Sequence, residues 1–190
     1  MKYCSQCGGP VALSIPEGDH RERYVCSNCG AIHYENPNAV VGAIPVYHPP
    51  GESPKVLLCK RSIEPRYGYW TLPAGFLENG ETMEAGARRE THEESCAELA
   101  NLQLYRVYDV IHARQIHVFY RAELPKPEFQ PTPESSEVQL YEFEDIPWTE
   151  LAFPTVYHAL ADFVDEWPDG NFTVSGAEIS TEHWHSMKPR

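Results

Sequence analysis

Two runs near the start of the chain carry its strongest strand pattern. Residues 39–47 read AVVGAIPVY, a nearly continuous apolar run, and residues 55–61 read KVLLCKR. The intervening HPPGESP, residues 48–54, is rich in turn formers, so the pattern predicts a β-hairpin. Pro45 cannot donate a ladder hydrogen bond, which predicts an edge strand or a bulge at that point. Residues 69–73, YWTLP, predict a short extended piece after the hairpin.

The pattern of apolar and polar residues after the first strands predicts two helices and further strands. Thr82 is a suitable N-cap for a helix over residues 83–95, although Gly86 lowers its helix propensity. Residues 153–167 predict a closing amphipathic helix. Residues 168–190 are polar without clear periodicity and predict a partly mobile tail. The sequence His183-Trp184-His185 is better explained as part of this tail than as a metal site. Strands are predicted at 102–111, 115–123 and 138–143, and the order of elements indicates a mixed α/β sandwich.

The composition is that of a globular protein with an acidic surface. Of 190 residues, 42% are hydrophobic and 23% charged, and the formal net charge is −13. Nucleic acid and anionic membranes both require clustered Lys and Arg, so we expect neither as a partner. No run approaches the roughly 18–20 apolar residues of a membrane span, and the opening MKYCSQCGG lacks an apolar signal region. These features predict a cytoplasmic protein.

Four cysteines near the N-terminus have the spacing of a metal site. Cys4 with Cys7 and Cys26 with Cys29 form two C-x2-C pairs, separated by eighteen residues. Each pair precedes a glycine, which permits the tight turn that brings two thiolates to one ion. The spacing predicts a structural four-thiolate zinc ribbon over residues 1–36, with disulfides and an iron site as the alternatives.

Three glutamates crowd one face of the predicted helix. Glu90, Glu93 and Glu94 stand at positions i, i+3 and i+4, which share a helix face. Like charges at this spacing destabilise a bare helix by roughly 0.2–0.5 kcal/mol per pair, so a compensating cation is expected. Mg²⁺ takes oxygen ligands and is often shared between protein carboxylates and substrate phosphates. This stripe of glutamates therefore predicts metal-assisted phosphate chemistry.

The segment around the stripe resembles the Nudix box, G-x5-E-x7-R-E-U-x-E-E-x-G-U, in which U is a bulky aliphatic residue. The matching positions are Gly75, Glu81, Arg89, Glu90, Glu93 and Glu94, preceded by Leu72-Pro73-Ala74. The resemblance implies a Nudix-type α/β/α sandwich with a mixed sheet over residues 37–167, after the zinc ribbon and before a polar C-terminal tail, 168–190. It also implies hydrolysis of a nucleoside diphosphate linked to another group, yielding two monophosphates.

The same resemblance assigns roles within the box. It implies that Mg²⁺ or Mn²⁺ is held by the carboxylates of Glu90, Glu93 and Glu94 and the main-chain carbonyl of Ala74. Such ions would neutralise the diphosphate and lower the pKa of an attacking water. Glu81 is expected either to support this site or to bind an outer ion. Arg89 stays protonated, so its expected role is to orient the glutamates rather than to act as a base.

Two positions depart from the box. Thr91 stands where an aliphatic residue is usual, and Cys96 replaces the later glycine. Neither change removes a carboxylate, so we expect them to affect helix packing and the C-terminal turn. Cys96, like Cys59, lies outside the zinc spacing, and both are expected to be small buried apolar residues.

The wider layout is similar to that of bacterial and plant ADP-ribose or FAD pyrophosphatases. Ribbon-bearing NADH pyrophosphatases are the close competitor, but they carry an SQPWPFP-type run that is absent from YDVIHARQIHVFY at residues 108–120. ADP-ribose or FAD therefore ranks above NADH as the substrate. A non-hydrolytic nucleotide-binding regulator and cap removal from RNA are further alternatives, disfavoured by the intact carboxylates and the acidic charge respectively. The resemblance also suggests a homodimer.

Residues outside the box complete the candidate site. Glu134 and Glu137 sit in a proline-rich loop of lid length and are candidate general bases, with Glu137 preferred. Together with Glu93, Glu94 and Arg89 they make up the candidate catalytic set. A base from the box itself, with Glu134 and Glu137 as ordinary surface charges, is the open alternative. The candidates for substrate contact are aromatic residues that could stack on a base and arginines that could bind phosphate: Tyr67, Tyr69, Trp70, Arg61, Arg66 and Arg114. A core or interface role is the open alternative for the three aromatic residues.

Overall fold

The computed structural model describes residues 1–185, in two compact units that divide after residue 37. The first unit is a three-stranded antiparallel sheet in the order β1-β2-β3. Its strands are β1 (Val11–Ser14), β2 (Arg23–Cys26) and β3 (Ile32–His33). Cys4 and Cys26 are its only buried side chains. A unit with so small a core requires a further constraint such as a bound metal.

The second unit is built on one mixed sheet. Its strands are β4 (Asn38–Tyr47), β5 (Lys55–Arg61), β6 (Trp70–Thr71), β7 (Ala74–Phe76), β8 (Ala100–Val110), β9 (Gln115–Glu123), β10 (Ser135–Glu142) and β11 (Ser175–Glu178). The order across the sheet is β10-β5-β4-β9-β8-β11, with β6 paired to β5 and β7 paired to β4. The β4–β9 and β8–β11 pairs are parallel, and the others are antiparallel.

Helices α1 (Met83–Ser95) and α2 (Pro154–Glu166) pack on opposite faces of this sheet. Val41 of β4 belongs to the apolar cluster that contains Ala87 of α1, whereas Ile44 belongs to the cluster that contains Leu160 of α2. Both faces of β4 are therefore covered, which explains its continuous apolar run. The expected α/β/α sandwich with a mixed sheet is confirmed. Among the described residues, no helix is long and apolar enough to cross a membrane.

Most predicted elements are present with nearly the predicted bounds. The helix over residues 83–95 and the strands over 55–61 and 115–123 agree at both ends, and the closing helix is one residue shorter at each end. Strand β10 begins at residue 135 rather than 138. The hairpin of β4 and β5 is confirmed by the pairs Val46↔Val56 and Tyr47↔Lys55.

Of the two alternatives predicted for Pro45, the edge strand is wrong, and the pairing with β9 runs through this residue without a register shift. Strand β4 lies inside the sheet, with β9 on one side and both β5 and β7 on the other. On that second side, β7 pairs with residues 40–42 and β5 with residues 46–47. Pro45 is tolerated because it falls between these two partners, where neither strand pairs with it.

Part of the predicted polar tail packs on the second unit, and residues 186–190 of that tail lie outside the described residues. Strand β11 pairs in parallel with residues 106–109 of β8. Phe172 packs against the main core, and Ile179 is only 3% exposed. The strand reads SGAE and is exposed throughout, so no alternation of apolar residues marked it in the sequence.

Candidate active site

Local hydrogen bonds fix both ends of α1. Thr82 is the N-cap, as predicted, because its Oγ1 accepts from the Ala85 N–H at 3.1 Å. Glu81 Oε1 accepts from the Glu78 N–H at 2.7 Å and so closes the preceding turn. The helix ends at Cys96, which adopts a left-handed conformation with φ 57°. Cys96 thus occupies a position where glycine, the usual residue of the box, is favoured.

Two glycines allow close approach around this helix. A Cβ on Gly75 would lie 2.2 Å from Oε2 of Glu90, and a Cβ on Gly86 would lie 2.8 Å from Cγ2 of Val41. Both distances are too short for real contacts. Gly75 therefore provides the space that the Glu90 carboxylate occupies, and Gly86 allows α1 to pack closely on the sheet.

Arg89 joins three carboxylates. Its Nε and Nη2 donate to the two carboxylate oxygens of Glu81 at 3.1 and 2.7 Å, a fork that lysine cannot reproduce. Its Nη1 donates to Glu90 at 2.7 Å and to Glu93 at 3.0 Å, and Nη2 also donates to the Phe76 carbonyl at 3.1 Å. Hydrogen bonds from Arg89 and the Glu78 N–H lower the pKa of Glu81 to about 2. This geometry is that of a residue that orients the glutamates.

Glu90 and Glu94 are the enclosed members of the stripe, with 9% and 5% exposure. Burial raises the pKa of Glu94 to about 8, although the Ala74 N–H donates to its Oε2 at 3.2 Å. Burial also raises the pKa of Glu90 in spite of its hydrogen bond from Arg89. Further positive charge beside these carboxylates is favourable, because it stabilises their ionised forms.

The stripe opens into a cleft of about 650 Å³. Its lining includes Glu90, Glu93 and Glu94 together with Ala74, Arg61 and Glu134. Arg61 is held in place, since its Nε donates to the Pro65 carbonyl at 2.9 Å and its guanidinium lies 5.2 Å from the centroid of the Phe153 ring. Glu81 does not line the cleft. Apolar side chains form another part of the wall: Val40, Ile63, Phe76, Val110, Phe153 and Ile179.

The carboxylates fit a hard divalent cation without forming a closed cage. Among the side chains that the structure describes, the four cysteines are the one group of three or more ligand residues whose ligand atoms all lie within 4.8 Å of one another. Arg89 holds Glu90 and Glu93, while Glu94 bonds to Ala74. Such an open donor set is typical of Mg²⁺, which is bound by a few carboxylates and completed by waters and substrate phosphates. Glu90, Glu93, Glu94 and the Ala74 carbonyl remain the candidate ligands.

The four cysteines converge in the first unit. The sulfurs of Cys4 and Cys29 are 3.8 Å apart and those of Cys7 and Cys26 are 3.5 Å apart, too far for disulfides. Backbone N–H groups, first that of Cys29, lower the pKa of the Cys26 thiol to about 6 and so favour the thiolate. Four convergent sulfurs are a donor set for tetrahedral Zn²⁺.

The two other cysteines differ in burial. Cys59 is fully buried and close to the Glu94 carbonyl, as expected of a small apolar residue. Cys96 is only partly buried, because it caps α1. Thr91, the other departure from the box, is fully buried and satisfies its hydroxyl by donating to the Ala87 carbonyl at 2.8 Å.

None of the three aromatic residues considered for stacking on a base lines the cleft. Trp70 is 4% exposed and packs edge-on against Tyr141, with ring centroids 5.2 Å apart. Trp70 therefore has the core role that was the alternative to stacking, because β6 pairs with β5 and directs this side chain into the main core. Tyr67 is 62% exposed but lies outside the cleft lining.

Of the three arginines predicted to contact phosphate, only Arg61 lines the cleft. Arg66 instead donates to the Ala152 carbonyl at 3.1 Å and lies over the Tyr69 ring. Arg114 adopts a left-handed conformation in the turn between β8 and β9, outside the lining. The structure therefore does not bring Arg66 or Arg114 to the glutamate stripe.

The structure places only one of the two candidate bases in the cleft lining. Strand β10 has a register shift at Ser136, so that Ser135 pairs with Arg61 while Glu137 pairs with Lys60. The Glu137 carboxylate lies 2.6 Å from the Lys60 Nζ and outside the cleft, whereas Glu134 lines it.

The loop that precedes Glu134 is tied to the end of α1, unlike an open lid. The Gln130 N–H donates to the Ser95 carbonyl at 2.8 Å, and the Thr132 hydroxyl donates to the Glu94 carbonyl at 3.3 Å. On its other side, the Ser62 N–H donates to the Glu134 carbonyl at 2.9 Å. These bonds hold Glu134 at the cleft.

Sequence reasoning missed one polar part of the cleft wall. Gln115 and His117 of β9 line the cleft together with Thr155 at the start of α2. The signal was available, because Gln115 and His117 alternate with Ile116 and Val118 in a predicted strand. In a sheet covered on both faces, two polar residues on one face indicate a cavity or a site.

The sandwich fold, the glutamate stripe and the cysteine cluster together define a class of protein. A family model described as NUDIX domain matches residues 36–185, and one described as Nudix N-terminal, a zinc ribbon, matches residues 2–35. The chain belongs to the NUDIX family and is a Nudix hydrolase with an N-terminal zinc ribbon. The family and the enzyme class predicted from the box are confirmed.

Known proteins resemble the chain to different extents. A crystal structure of a NUDIX hydrolase from Nitrosomonas europaea is 46% identical with a TM-score of 0.88, covering 94% of this chain and 99% of that one. The NAD-capped RNA hydrolase NudC of Salmonella heidelberg is 29% identical over 148 residues, 77% of this chain and 53% of that protein. The NAD-capped RNA hydrolase NUDT12 of Homo sapiens is 34% identical over 108 residues, 54% of this chain and 22% of that protein. The chain thus spans about half or less of the length of these two curated relatives.

Proposed function

We propose that this chain is a divalent-metal-dependent pyrophosphohydrolase that cleaves the diphosphate of a dinucleotide of the NAD(H) class into two monophosphates. The observation that carries the proposal is the meeting, in one cleft, of the buried Glu90 and Glu94 with Arg61 and an apolar wall. The carboxylates supply hard oxygen ligands, the arginine can bind a phosphate oxygen, and the wall can accept a ring.

The residues of the cleft divide the chemistry among them. A Mg²⁺ or Mn²⁺ ion at the glutamate stripe would neutralise the diphosphate and lower the pKa of an attacking water. Arg61, held by Pro65 and Phe153, binds and orients a phosphoryl oxygen. Glu134 is the candidate base that accepts the proton of the water. Arg89 keeps the carboxylates of the stripe in place.

The curated relatives change the order of candidate substrates. Both are named NAD-capped RNA hydrolases, which supports a substrate with an NAD moiety, so we place the NAD(H) class ahead of ADP-ribose and FAD. The absence of the SQPWPFP-type run had favoured the opposite order. The absence of a nucleic-acid partner stays a prediction, because the name of these relatives includes RNA. The homodimer also stays a prediction.

A turnover screen tests the proposal. The protein is given NADH, NAD, ADP-ribose, FAD and NAD-capped RNA, each with Mg²⁺ or Mn²⁺, and the monophosphates released are quantified by chromatography. We expect the highest kcat/KM with NADH or NAD as the free dinucleotide. A higher kcat/KM for ADP-ribose or FAD would place that substrate ahead of the NAD(H) class. No diphosphate cleavage with either ion would refute the proposed function.

Paired variants test the roles of the glutamates. Glu94→Gln should lower kcat by about a hundredfold or more, while Glu98→Gln, whose side chain is 83% exposed, should not. Glu134→Gln should lower kcat by roughly 10²–10⁴-fold, as expected for a general base, and Glu137→Gln should leave it unchanged. Wild-type turnover in Glu134→Gln would remove this residue from the mechanism.

A further inference from the structure

One part of the cleft wall is not used by the proposed metal and phosphate chemistry. His117 on β9 is directly paired with Val40 on β4, and Val40 is directly paired with Phe76 on β7. Directly paired residues share a face of the sheet, and all three line the cleft. Two strand spacings separate the backbones of His117 and Phe76, about 10 Å. Since Phe76 follows Gly75 in β7, and Gly75 lies against the Glu90 carboxylate, a sugar can span the gap between a bound diphosphate and a ring at His117.

Hydrogen bonds fix the proton positions on His117. Its Nε2 lies 2.8 Å from the Gln115 amide oxygen, and its Nδ1 lies 3.1 Å from the Thr155 hydroxyl. An amide oxygen only accepts, so Nε2 carries the proton, and in the neutral ring Nδ1 accepts from Thr155. Gln115 thereby uses its carbonyl oxygen on His117. Its amide NH₂ has no hydrogen-bond partner in the part of the chain that the structure describes, which leaves a donor with a fixed orientation at the cleft.

The surroundings of this donor suit an uncharged aromatic ring. Burial lowers the pKa of His117 to about 4, so the imidazole is neutral near pH 7. The neighbouring lining includes Val110, Phe153 and Ile179. An apolar wall with an oriented donor binds a flat ring and selects for an acceptor atom on its edge.

We propose that Gln115, His117 and Thr155 form the subsite for a heteroaromatic ring of the substrate, a neutral ring that carries a carbonyl oxygen or ring nitrogen as acceptor. This inference rests on the proposed function. The Gln115 amide donates to the acceptor, and the apolar wall contacts the ring. His117 and Thr155 are positioning residues, because they act by fixing the orientation of that amide.

The test replaces Gln115 by Leu, which keeps the size of the side chain and removes the donor. Gln139→Leu, on the exposed face of β10, is the matched control. KM and kcat are measured for NADH and for ADP-ribose, which share the adenine and the diphosphate but differ in the nicotinamide ring. Circular dichroism before each assay shows that the variants are folded.

We expect Gln115→Leu to raise KM by about three- to tenfold with little change in kcat, since one hydrogen bond contributes about 0.5–1.5 kcal/mol. A loss confined to NADH assigns the nicotinamide ring to the subsite, and an equal loss on both substrates assigns the adenine ring. Either result supports the proposal. An unchanged KM for both substrates, or the same change in Gln139→Leu, would overturn it.

Thr155 provides a second readout that a purely structural role would not produce. Thr155→Val should raise KM by a smaller factor than Gln115→Leu does, and the rise in KM should not be matched by a proportionate fall in melting temperature. Thr155→Ser should restore KM because it keeps the hydroxyl. If the wild type hydrolyses neither substrate, the proposed function fails. The subsite is then tested by calorimetry with AMP and reduced nicotinamide mononucleotide, whose rings are both neutral: binding that is weakened in Gln115→Leu supports it, and absent or equal binding overturns it.

Discussion

Arg89→Met removes the guanidinium that joins Glu81, Glu90 and Glu93. Five hydrogen bonds are lost, four of them to carboxylates. The side chains of Arg89 and Glu90 are 24% and 12% exposed, so their pair lies between a buried and a surface ion pair. Breaking a buried pair costs about 3–5 kcal/mol and an exposed pair contributes below about 1 kcal/mol. We therefore expect the free energy of unfolding to fall by about 2–3 kcal/mol.

Urea denaturation followed by circular dichroism measures this loss, in buffer that contains zinc and either lacks or contains Mg²⁺. Arg88→Met is the control, since Arg88 is 40% exposed and its ion pair is with Glu84 on the same helix face. It should lose about 1 kcal/mol or less. Mg²⁺ should restore part of the stability of Arg89→Met, because the ion replaces the missing positive charge. Equal losses in the two variants, or no recovery with Mg²⁺, would refute the assignment of Arg89 as the group that holds the stripe.

Cys96→Gly should stabilise the protein by about 1 kcal/mol, because φ at this residue is 57°, a region that costs residues with a Cβ roughly 1–2 kcal/mol. Cys96→Ala keeps the Cβ and should give no such gain, so equal urea midpoints for the two variants would contradict the explanation. Gly75→Ala should weaken Mg²⁺ binding by about tenfold or more, since its Cβ would overlap the Glu90 carboxylate, and an unchanged calorimetric titration would count against Glu90 as a ligand. Cys4→Ser should remove the bound zinc seen by atomic emission and make residues 1–37 sensitive to protease; retained zinc would exclude a four-thiolate site.

The parts of the fold that were predictable are those with a local physical signal. Thr82 marks the start of α1 because a side-chain oxygen there can accept from an N–H of the first turn. The bounds of β5 follow from an apolar run flanked by turn residues. The stripe was visible because i, i+3 and i+4 positions meet on any helix, whatever packs around it.

Positions that depend on pairing between distant strands were not predictable from the sequence. Whether Glu134 or Glu137 faces the cleft is decided by a one-residue register shift at Ser136, which leaves no trace in the pattern of polar and apolar residues. The inward direction of Trp70 follows from its pairing with Lys60 of β5. Gln115 and His117 became interpretable only when α2 supplied Thr155 as a partner.

Strand β11 affects the stability of the purified protein during storage. It covers part of Ala100–Val110, an eleven-residue strand whose outer backbone groups are otherwise a template for edge-to-edge aggregation. The residue that follows β11, Ile179, is also part of the cleft wall. Proteolytic cleavage between Trp167 and Ser175 would therefore have two effects together. It would expose the edge of β8 to pairing with other molecules, and it would open the cleft. Loss of solubility and loss of substrate discrimination should appear in the same fraction of a stored sample.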